Sequence, residues 1–378
     1  MLMYSGCKGS NKFCLLELNS DICRVINFKK MRKQILFILA AVLINCAVSA
    51  QKKFSVYGVG FYNQENLFDT CHDEGKRDYE FLPNGSYRWN GIKYTHKLRN
   101  MSRALADMGT DVLPGVGCAL IGLAEVENSR ALNDLIAQPS LKARGYKYVH
   151  VEGPDRRGID CALLYNPSLF TVNNVRLAPY VQKLEKDSAF VTRGFLTVSG
   201  LLAGEPVAVI VCHLPSRFSD SFYREQGAEQ IKVLKDSLLN CQPAYKVFVM
   251  GDMNDDPMDK SMSKSLRGKA DVEEVDEQDM YNPWYNVLVK DGVGTLSFQG
   301  TWNLFDQILL SPNLLNRRSK KDFSTLKYWK SQIFRRDYLF QTEGKYKSTP
   351  KRTTSGGVWQ DGFSDHLPVI VYLVKEQQ

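Results

Sequence analysis

Four consecutive apolar residues, Val247 to Met250, stand between Lys246 and the polar cluster Gly251-Asp-Met-Asn-Asp-Asp-Pro257. A run so short, so apolar and so abruptly closed predicts a strand buried on both faces, and such a strand needs packed layers on either side. Chemistry is expected where the strand stops. Gly251 should let the backbone turn, and Asp252 and Asn254, two residues apart, should project the same way with one carboxylate and one amide. That pairing suits a hard cation or a phosphate group. The same residues also make an ordinary polar turn, so the choice rests on the rest of the chain.

The pattern recurs. Phe54 to Phe61 predicts a first strand running into Asn63-Gln-Glu-Asn-Leu67, and Ala119 to Ala124 predicts another that stops at Glu125-Val-Glu-Asn128. Tyr146–Val151 and Cys161–Tyr165 flank a Gly-Pro-Asp-Arg-Arg-Gly loop. Phe190–Leu202 and Val207–Cys212 read as paired strands turning at Gly204-Glu-Pro206, the second ending on His213. Phe305–Leu310 carries Asp306 near its start, and Ser364-Asp-His366 leads into a last strand, Leu367–Leu373. Helical spacing of apolar residues marks Lys93–Met108, Arg130–Ala137 and Ser221–Asn240. The charged stretch Asp259–Asp279 is expected to be a solvated surface loop, and Arg317–Lys351 a long loop with one strand at its centre. No fixed-period repeat is present. The expectation is an α/β layered domain whose mixed sheets carry a site at one edge.

Six strand-end clusters then define the chemistry: Asn63, Glu125, His213, Asp252 with Asn254, Asp306, and Asp365 with His366. Carboxylates and amides with two histidines and no cysteine are the ligand set of Mg²⁺, Mn²⁺ or Ca²⁺ and not of zinc. Such ions serve phosphorylated substrates by neutralising charge that rises on the phosphoryl group, and two histidines supply acid/base chemistry near neutral pH.

In order, Asn-x-x-x-Leu, a strand-end Glu, His-x-x-Ser, Gly-Asp-x-Asn, Asp-Gln-Ile and Ser-Asp-His-x-Pro span Asn63 to Pro368. This order resembles the endonuclease/exonuclease/phosphatase superfamily, which includes deoxyribonuclease I, the exonuclease III type enzymes and neutral sphingomyelinases. The resemblance implies an α/β four-layer sandwich of two packed mixed β-sheets flanked by helices, with divalent-metal-dependent phosphodiesterase or phosphatase activity. It implies Glu125 as the main metal ligand, Asp365 on the same ion, and Asn63 beside it directly or through water. Glu65 would assist through water. His366 would be the general base oriented by Asp306, with Asp252 and Asn254 positioning the attacking water and a phosphate oxygen. His213 would donate to the phosphate or the leaving oxygen, and Arg193 would contact phosphate; Arg157 lies in a loop that the resemblance does not align.

Plain structural readings stand beside these. Glu125 alone reads as a cap, His213 as a core histidine bonded to backbone, and Asp306 as an inward acid on an edge strand. Glu127, Asp255 and Asp256 are expected in solvent, and His72, His96 and His150 at surface or structural positions. Trp284, Tyr285, Trp302 and Trp359 read mostly as core, with stacking beside the cleft as the alternative.

The first fifty residues fall outside this pattern. Met31-Arg-Lys-Gln, the apolar run Ile35–Cys46 and Val48-Ser-Ala50 form the three regions of a signal peptide over residues 31–50, predicting a mature N-terminus at Gln51 and a periplasmic or secreted protein. About 12 apolar residues are too few to span a bilayer, so no stable membrane anchor is expected. Residues 1–30 read as an over-extended start, leaving 51–378 as the catalytic domain. Of the 49 Lys/Arg and 41 Asp/Glu, seven and two lie in the first fifty positions, so the balance beyond them is 42 against 39. That near-neutrality gives no argument for a nucleic-acid stripe. Five cysteines remain, without a Cys-x-x-Cys, so neither zinc nor a dense disulfide framework is indicated. The function expected is an exported nuclease acting on DNA or RNA. The alternatives are a sphingomyelinase or inositol-phosphate phosphatase, and a non-catalytic binding protein on the same scaffold; oligomeric state is left open.

Overall fold

The runs read as strands between Phe54 and Leu373 become strands, and they build two large sheets beside two small two-stranded ones. The computed structural model describes residues 31–34, 52–183 and 190–377. Met1–Lys53 and Phe54–Gln378 are separate units. Within the first, residues 31–34 form an exposed helical turn; residues 1–30 and 35–50, which carry most of the start and export expectations, lie outside the described residues. Among the described residues no helix is long and apolar enough to cross a membrane.

The second unit runs β1 (Phe54–Leu67), α1 (Gly91–Asp107), β2 (Cys118–Val126), α2 (Ser129–Ala137), α3 (Pro139–Lys142), β3 (Lys147–His150), β4 (Asp160–Tyr165), β5 (Phe170–Ala178), β6 (Phe195–Leu202) and β7 (Glu205–His213). It continues with α4 (Ser221–Cys241), β8 (Lys246–Asp252), β9 (Gly268–Lys269), β10 (Met280–Tyr281), α5 (Trp284–Asp291), β11 (Leu296–Phe298), β12 (Thr301–Asn303), β13 (Asp306–Leu310), β14 (Lys327–Ile333), β15 (Thr354–Ser355), β16 (Val358–Trp359) and β17 (Val369–Glu376). Three of the helices, α1, α2 and α4, start where a side chain meets an orphan N–H: Asn90 accepts from Lys93, Asn128 from Ala131 and Asp220 from Phe222.

One sheet has six strands in the order β14-β17-β1-β2-β4-β3, the other seven in the order β5-β6-β7-β8-β13-β10-β9. Each is mixed. Each also has a parallel pair near its middle, β1 with β2 and β7 with β8, so their polar ends come out together: Asn63 opposite Ala124, the residue before Glu125, and His213 opposite Asp252. The antiparallel neighbours begin at those ends. Asp306 pairs with Asp252, and Val369 with Phe61, which sets Asp365 and His366 just beyond the same edge. The sheets pack face to face through Phe61, Leu123, Val209, Phe248, Met250, Ile308 and Ile370, all fully buried, with helices outside. They approach closely at Gly122, where a Cβ would stand 2.6 Å from the Met250 sulfur.

Several expectations need correction. Gly251 does not turn the chain; it lies within β8, where a Cβ would fall 2.0 Å from the Cys212 carbonyl, so glycine permits close strand pairing. The turn is at Asn254, with φ of +51°. The strand expected from Phe190 begins only at Phe195, and β5 and α5 had no clear period in the sequence. Asp259–Asp279 is not a solvated loop: Met262, Leu266 and Val275 are buried, and its acids are largely paired, as Asp279 is with Arg267 at 2.6 Å. Its apolar residues are too sparse to show periodicity. Trp284 is core, donating its indole N–H to the Ile308 carbonyl at 3.0 Å. Cys71, Cys118, Cys161, Cys212 and Cys241 are all free thiols, three of them buried.

Candidate active site

The shared sheet edge carries strained backbone. Glu65, Asn66, Glu125 and Asn254 all hold positive φ, a conformation that costs non-glycine residues free energy unless the surroundings impose it. The cause lies in register. Between Asn63 and Leu67 the β1–β2 pairing slips, bulging Gln64 to Asn66 out of the ladder. The bulge turns the Asn66 N–H onto the Glu125 carboxylate at 2.9 Å, while the Glu65 N–H bonds the Asn63 side-chain oxygen at 2.8 Å.

Asn63 thus fixed, its amide donates to Asp252 at 3.0 Å and to Glu125 at 3.4 Å. His213 Nε2 lies 3.5 Å from Asp252 and 3.8 Å from Glu125. One ligand atom from each of Glu125, His213 and Asp252 falls within 4.8 Å of the others. Two carboxylates, an imidazole and an amide converging in this way are a fitting set for a hard divalent ion. The electrostatics point the same way. Burial pushes the Asp252 carboxyl up to about 7, and the Asp306 and Glu125 charges add to that against the pull of His366; the site holds more negative charge than its own cations answer. Burial, aided by Arg193 and Arg157, holds His213 well below the usual histidine range, so the imidazole is neutral and able to ligate.

Beside this centre, His366 Nδ1 meets Asp306 at 2.7 Å, both residues being buried. The other ring nitrogen, Nε2, lies 3.8 Å from Asp252 and 3.9 Å from Asp365, too far for direct hydrogen bonds. Burial disfavours the imidazolium, but Asp306 and Asp252 outweigh it and hold the His366 pKa well above its ordinary value. Asn254 closes the turn, its N–H on Asp252 at 2.9 Å and its side chain on the Leu214 carbonyl at 2.9 Å.

Asp365 is engaged differently from Glu125. Arg352 donates to Asp365 at 2.8 Å and to Glu65 at 3.3 Å, and the Thr353 N–H bonds Glu65 at 2.5 Å. Lys97, fully buried on α1, reaches the Thr353 hydroxyl at 2.5 Å and the Phe363 carbonyl at 2.6 Å. Burial and the Asp365 charge raise Glu65 to about 7, with Lys97 and Arg352 opposing, and burial lowers Lys97 to about 8. Arg193 is buried against Asp155 at 3.1 Å, its Nε without a partner. Glu125, His213, Asp252, Asn254, Asp365, His366, Arg193 and Arg157 all line one cavity of about 460 Å³, rimmed by Phe190, Pro215, Phe218 and Leu296.

The edge therefore gathers all of the sequence-selected residues, with Asn63 and Asp306 behind the cavity wall. Arg352, Lys97 and Phe218 carried no sequence signal beyond being polar or aromatic residues in loops or on a helix. Three expected solvent acids are instead engaged. Glu127 is buried and accepts the Asp69 N–H at 2.7 Å; Asp255 is buried against Arg224 at 2.8 Å; Asp256, partly buried, accepts the Leu304 N–H at 2.7 Å. His72 and His150 pair with Asp78 and Asp160, as structural histidines do.

No curated protein sequence matches this chain. Solved structures similar to it include an endonuclease/exonuclease/phosphatase family protein from Bacteroides thetaiotaomicron, 15% identical with TM-score 0.52, covering 86% of this chain and 97% of that one. A mannosyl-6-phosphatase from the same organism is 15% identical with TM-score 0.51, covering 84% and 99%. TDP2 from C. elegans is 14% identical with TM-score 0.50, covering 99% and 96%. These likenesses establish the two-sheet fold. Family assignment comes from the sequence model of the endonuclease/exonuclease/phosphatase family, which matches residues 58–375; on a match of that length, reaching from within β1 into β17, the chain belongs to the endonuclease/exonuclease/phosphatase family.

Proposed function

We propose that this chain is a divalent-metal-dependent phosphoesterase that hydrolyses phosphodiester bonds, and that it acts as a nuclease. One observation carries the reading: the Asp306–His366 pair directs the second ring nitrogen, Nε2, toward the Glu125–His213–Asp252 centre within a cavity that also holds Arg157 and Arg193. Glu125 is the principal ligand of Mg²⁺, Mn²⁺ or Ca²⁺. Asn63 and Asp365 are the companions expected from sequence, and Asp252 is added by geometry. The ion supplies charge neutralisation at the phosphoryl group.

The protein's own groups do the rest. His366 Nε2 takes a proton from the water that attacks phosphorus, and Asp306 on Nδ1 fixes the tautomer and stabilises the imidazolium. Asp252 and Asn254 hold the water and a non-bridging oxygen in line. Arg193, pinned by Asp155, presents its guanidinium to the phosphate, and His213 donates to a phosphate oxygen. The test is a panel of duplex DNA, RNA, sphingomyelin, phosphoinositides and bis(p-nitrophenyl) phosphate with each ion, comparing the wild type with Glu125→Gln. Nucleic acid should be cleaved, with the variant losing both metal affinity and rate. Turnover confined to lipid or inositol substrates would overturn the nuclease reading, and absence of all turnover would leave a binding protein.

A further inference from the structure

The loop from His213 to Asp220, which carries the site from β7 into α4, is anchored with unusual thoroughness. Arg224, buried on α4, donates to the carbonyls of Ser216 and Ser219 at 3.0 and 3.1 Å and reaches that of Pro215 at 3.5 Å. The same guanidinium is tied to buried Asp255 at 2.8 Å. Arg217 bonds the Asn254 carbonyl, Asn303, Asp256 and Asp259, and lies over the Phe305 ring at 4.4 Å. Yet between Arg217 and Ser219, both engaged, the Phe218 ring stands wholly in water at 103% relative exposure while lining the catalytic cavity.

A phenyl group in water forgoes its burial free energy, and a loop held this firmly does not supply it by local collapse. The ring is therefore preorganised for something that arrives from outside. Its surroundings select the visitor. Phe190, stacked on Tyr223 with centroids 4.3 Å apart, lines the same cavity together with Pro215 and Leu296. Deeper in lie the phosphate-facing groups, with the Thr192 hydroxyl and Arg193 Nε buried and without protein partners. A cavity of about 460 Å³ exceeds what a phosphate alone needs and falls in the range of small-molecule sites.

We infer that Phe218 is the platform of a base subsite: the flat face of a nucleobase attached through its sugar to the bound phosphate stacks on this ring. The inference rests on the phosphoesterase reading and deepens it by fixing where specificity is exercised. A bilayer is the less suitable visitor. Phe218 is a single ring on the rim of a concave cavity flanked by Ser216, Ser219 and Arg157, whereas lipid surfaces are met by convex apolar patches.

Thymidine 5′-(p-nitrophenyl phosphate) and methyl p-nitrophenyl phosphate share a leaving group and differ in carrying a nucleoside or a methyl group. The wild type should prefer the thymidine ester. The ratio of kcat/KM values should fall about tenfold in Phe218→Ala and be retained in Phe218→Trp, as expected for loss of one base–aromatic stack. An unchanged ratio in Phe218→Ala, or no preference in the wild type, overturns the inference. A parallel measurement does not need turnover: calorimetric binding of thymidine 5′-monophosphate against 2-deoxyribose 5-phosphate should show the same selectivity and the same loss. If neither ester is turned over with any divalent ion, the phosphoesterase reading falls, and the binding comparison alone decides the subsite. If Phe218→Ala instead abolishes sedimentation with phosphatidylcholine–sphingomyelin vesicles and leaves base selectivity intact, the ring serves a membrane and the inference is wrong.

Discussion

Replacing His366 by Ala should lower turnover by about 10² to 10⁴, the span of a general base, with little change in substrate binding. The companion Asp306→Asn is the sharper perturbation. Asp306 is fully buried and bonds His366 Nδ1 at 2.7 Å. At an effective dielectric of about 20, unit charges that close attract by about 6 kcal/mol, and that attraction is fully realised only when the ring becomes imidazolium in the transition state. A carboxylate spreads its charge over two oxygens and an amide keeps a dipole, so about half, or ~3 kcal/mol, should be lost, which is about 10² in rate. An amide N–H turned toward Nδ1 would also fix the proton on Nε2 and remove the base altogether. The assay is a double-mutant cycle on kcat with thermal melting alongside. Once the base is absent its orienting group has nothing to orient, so the double variant should be no slower than His366→Ala. Rate losses that multiply in variants that remain folded would refute the pairing, and normal rates with lowered melting temperatures would make it a structural contact.

Two other groups give predictions of opposite character. Burial raises Glu127 to about 8 from an unfolded value near 4.5, so the folded protein retains a proton that the unfolded chain releases as pH rises between those values. Its cost is absent below about pH 4.5 and complete above about pH 8; Glu127→Gln should therefore stabilise by on the order of 2 kcal/mol at pH 8 and by nothing near pH 4, read as melting temperature against pH. A pH-independent effect would show that Glu127 is not held protonated. Arg352→Met removes the cation shared by Glu65 and Asp365, which should lower stability by about 1 to 3 kcal/mol while tightening Mn²⁺ binding several-fold, because the acids it answered remain. Calorimetric titration with Mn²⁺ checks this, and weaker binding in a folded variant would mean that Arg352 orders the ion site.

The strands of this protein were legible because its site residues terminate buried apolar runs. Val247–Met250 before Asp252, Ala119–Ala124 before Glu125 and Val207–Cys212 before His213 each announce a strand by composition and a functional end by contrast. The antiparallel entries at Asp306 and Asp365 work in reverse. What stayed hidden depends on partners far away in sequence. Arg352 meets Glu65 across 287 positions, and Lys97 meets Phe363 across 266. Glu127, Asp255 and Asp256 looked solvated because nothing local distinguishes an acid that will face Asp69, Arg224 or Arg217 from one that faces water. Gly251 misled for a related reason: glycine serves tight turns and close backbone approach equally well, and only the position of Cys212 tells them apart.

The arrangement also explains why the site's acids divide into two groups. Glu65 and Asp365 are answered by Arg352 and Lys97, cations that the fold carries with it. Glu125 and Asp252 are met instead by neutral groups, namely the Asn63 amide, the Asn66 and Asn254 N–H groups and His213, and burial raises Asp252 to about 7 against the pull of His366. His366 sits between the groups and inherits the excess: Asp306 and Asp252 together keep its imidazolium favoured, which is the wrong form for a base. A divalent charge beside Glu125 and Asp252 would remove that excess, releasing the proton of Asp252 and lowering the pKa of His366 toward the range in which Nε2 is free. With an ion held by Glu125 and Asp252, His366 would be competent as the base. The Asp306 contact survives that change because it lies on the far side of the ring at Nδ1, so Asp306 would keep orienting the ring and supporting its charge while the ion answers Asp252.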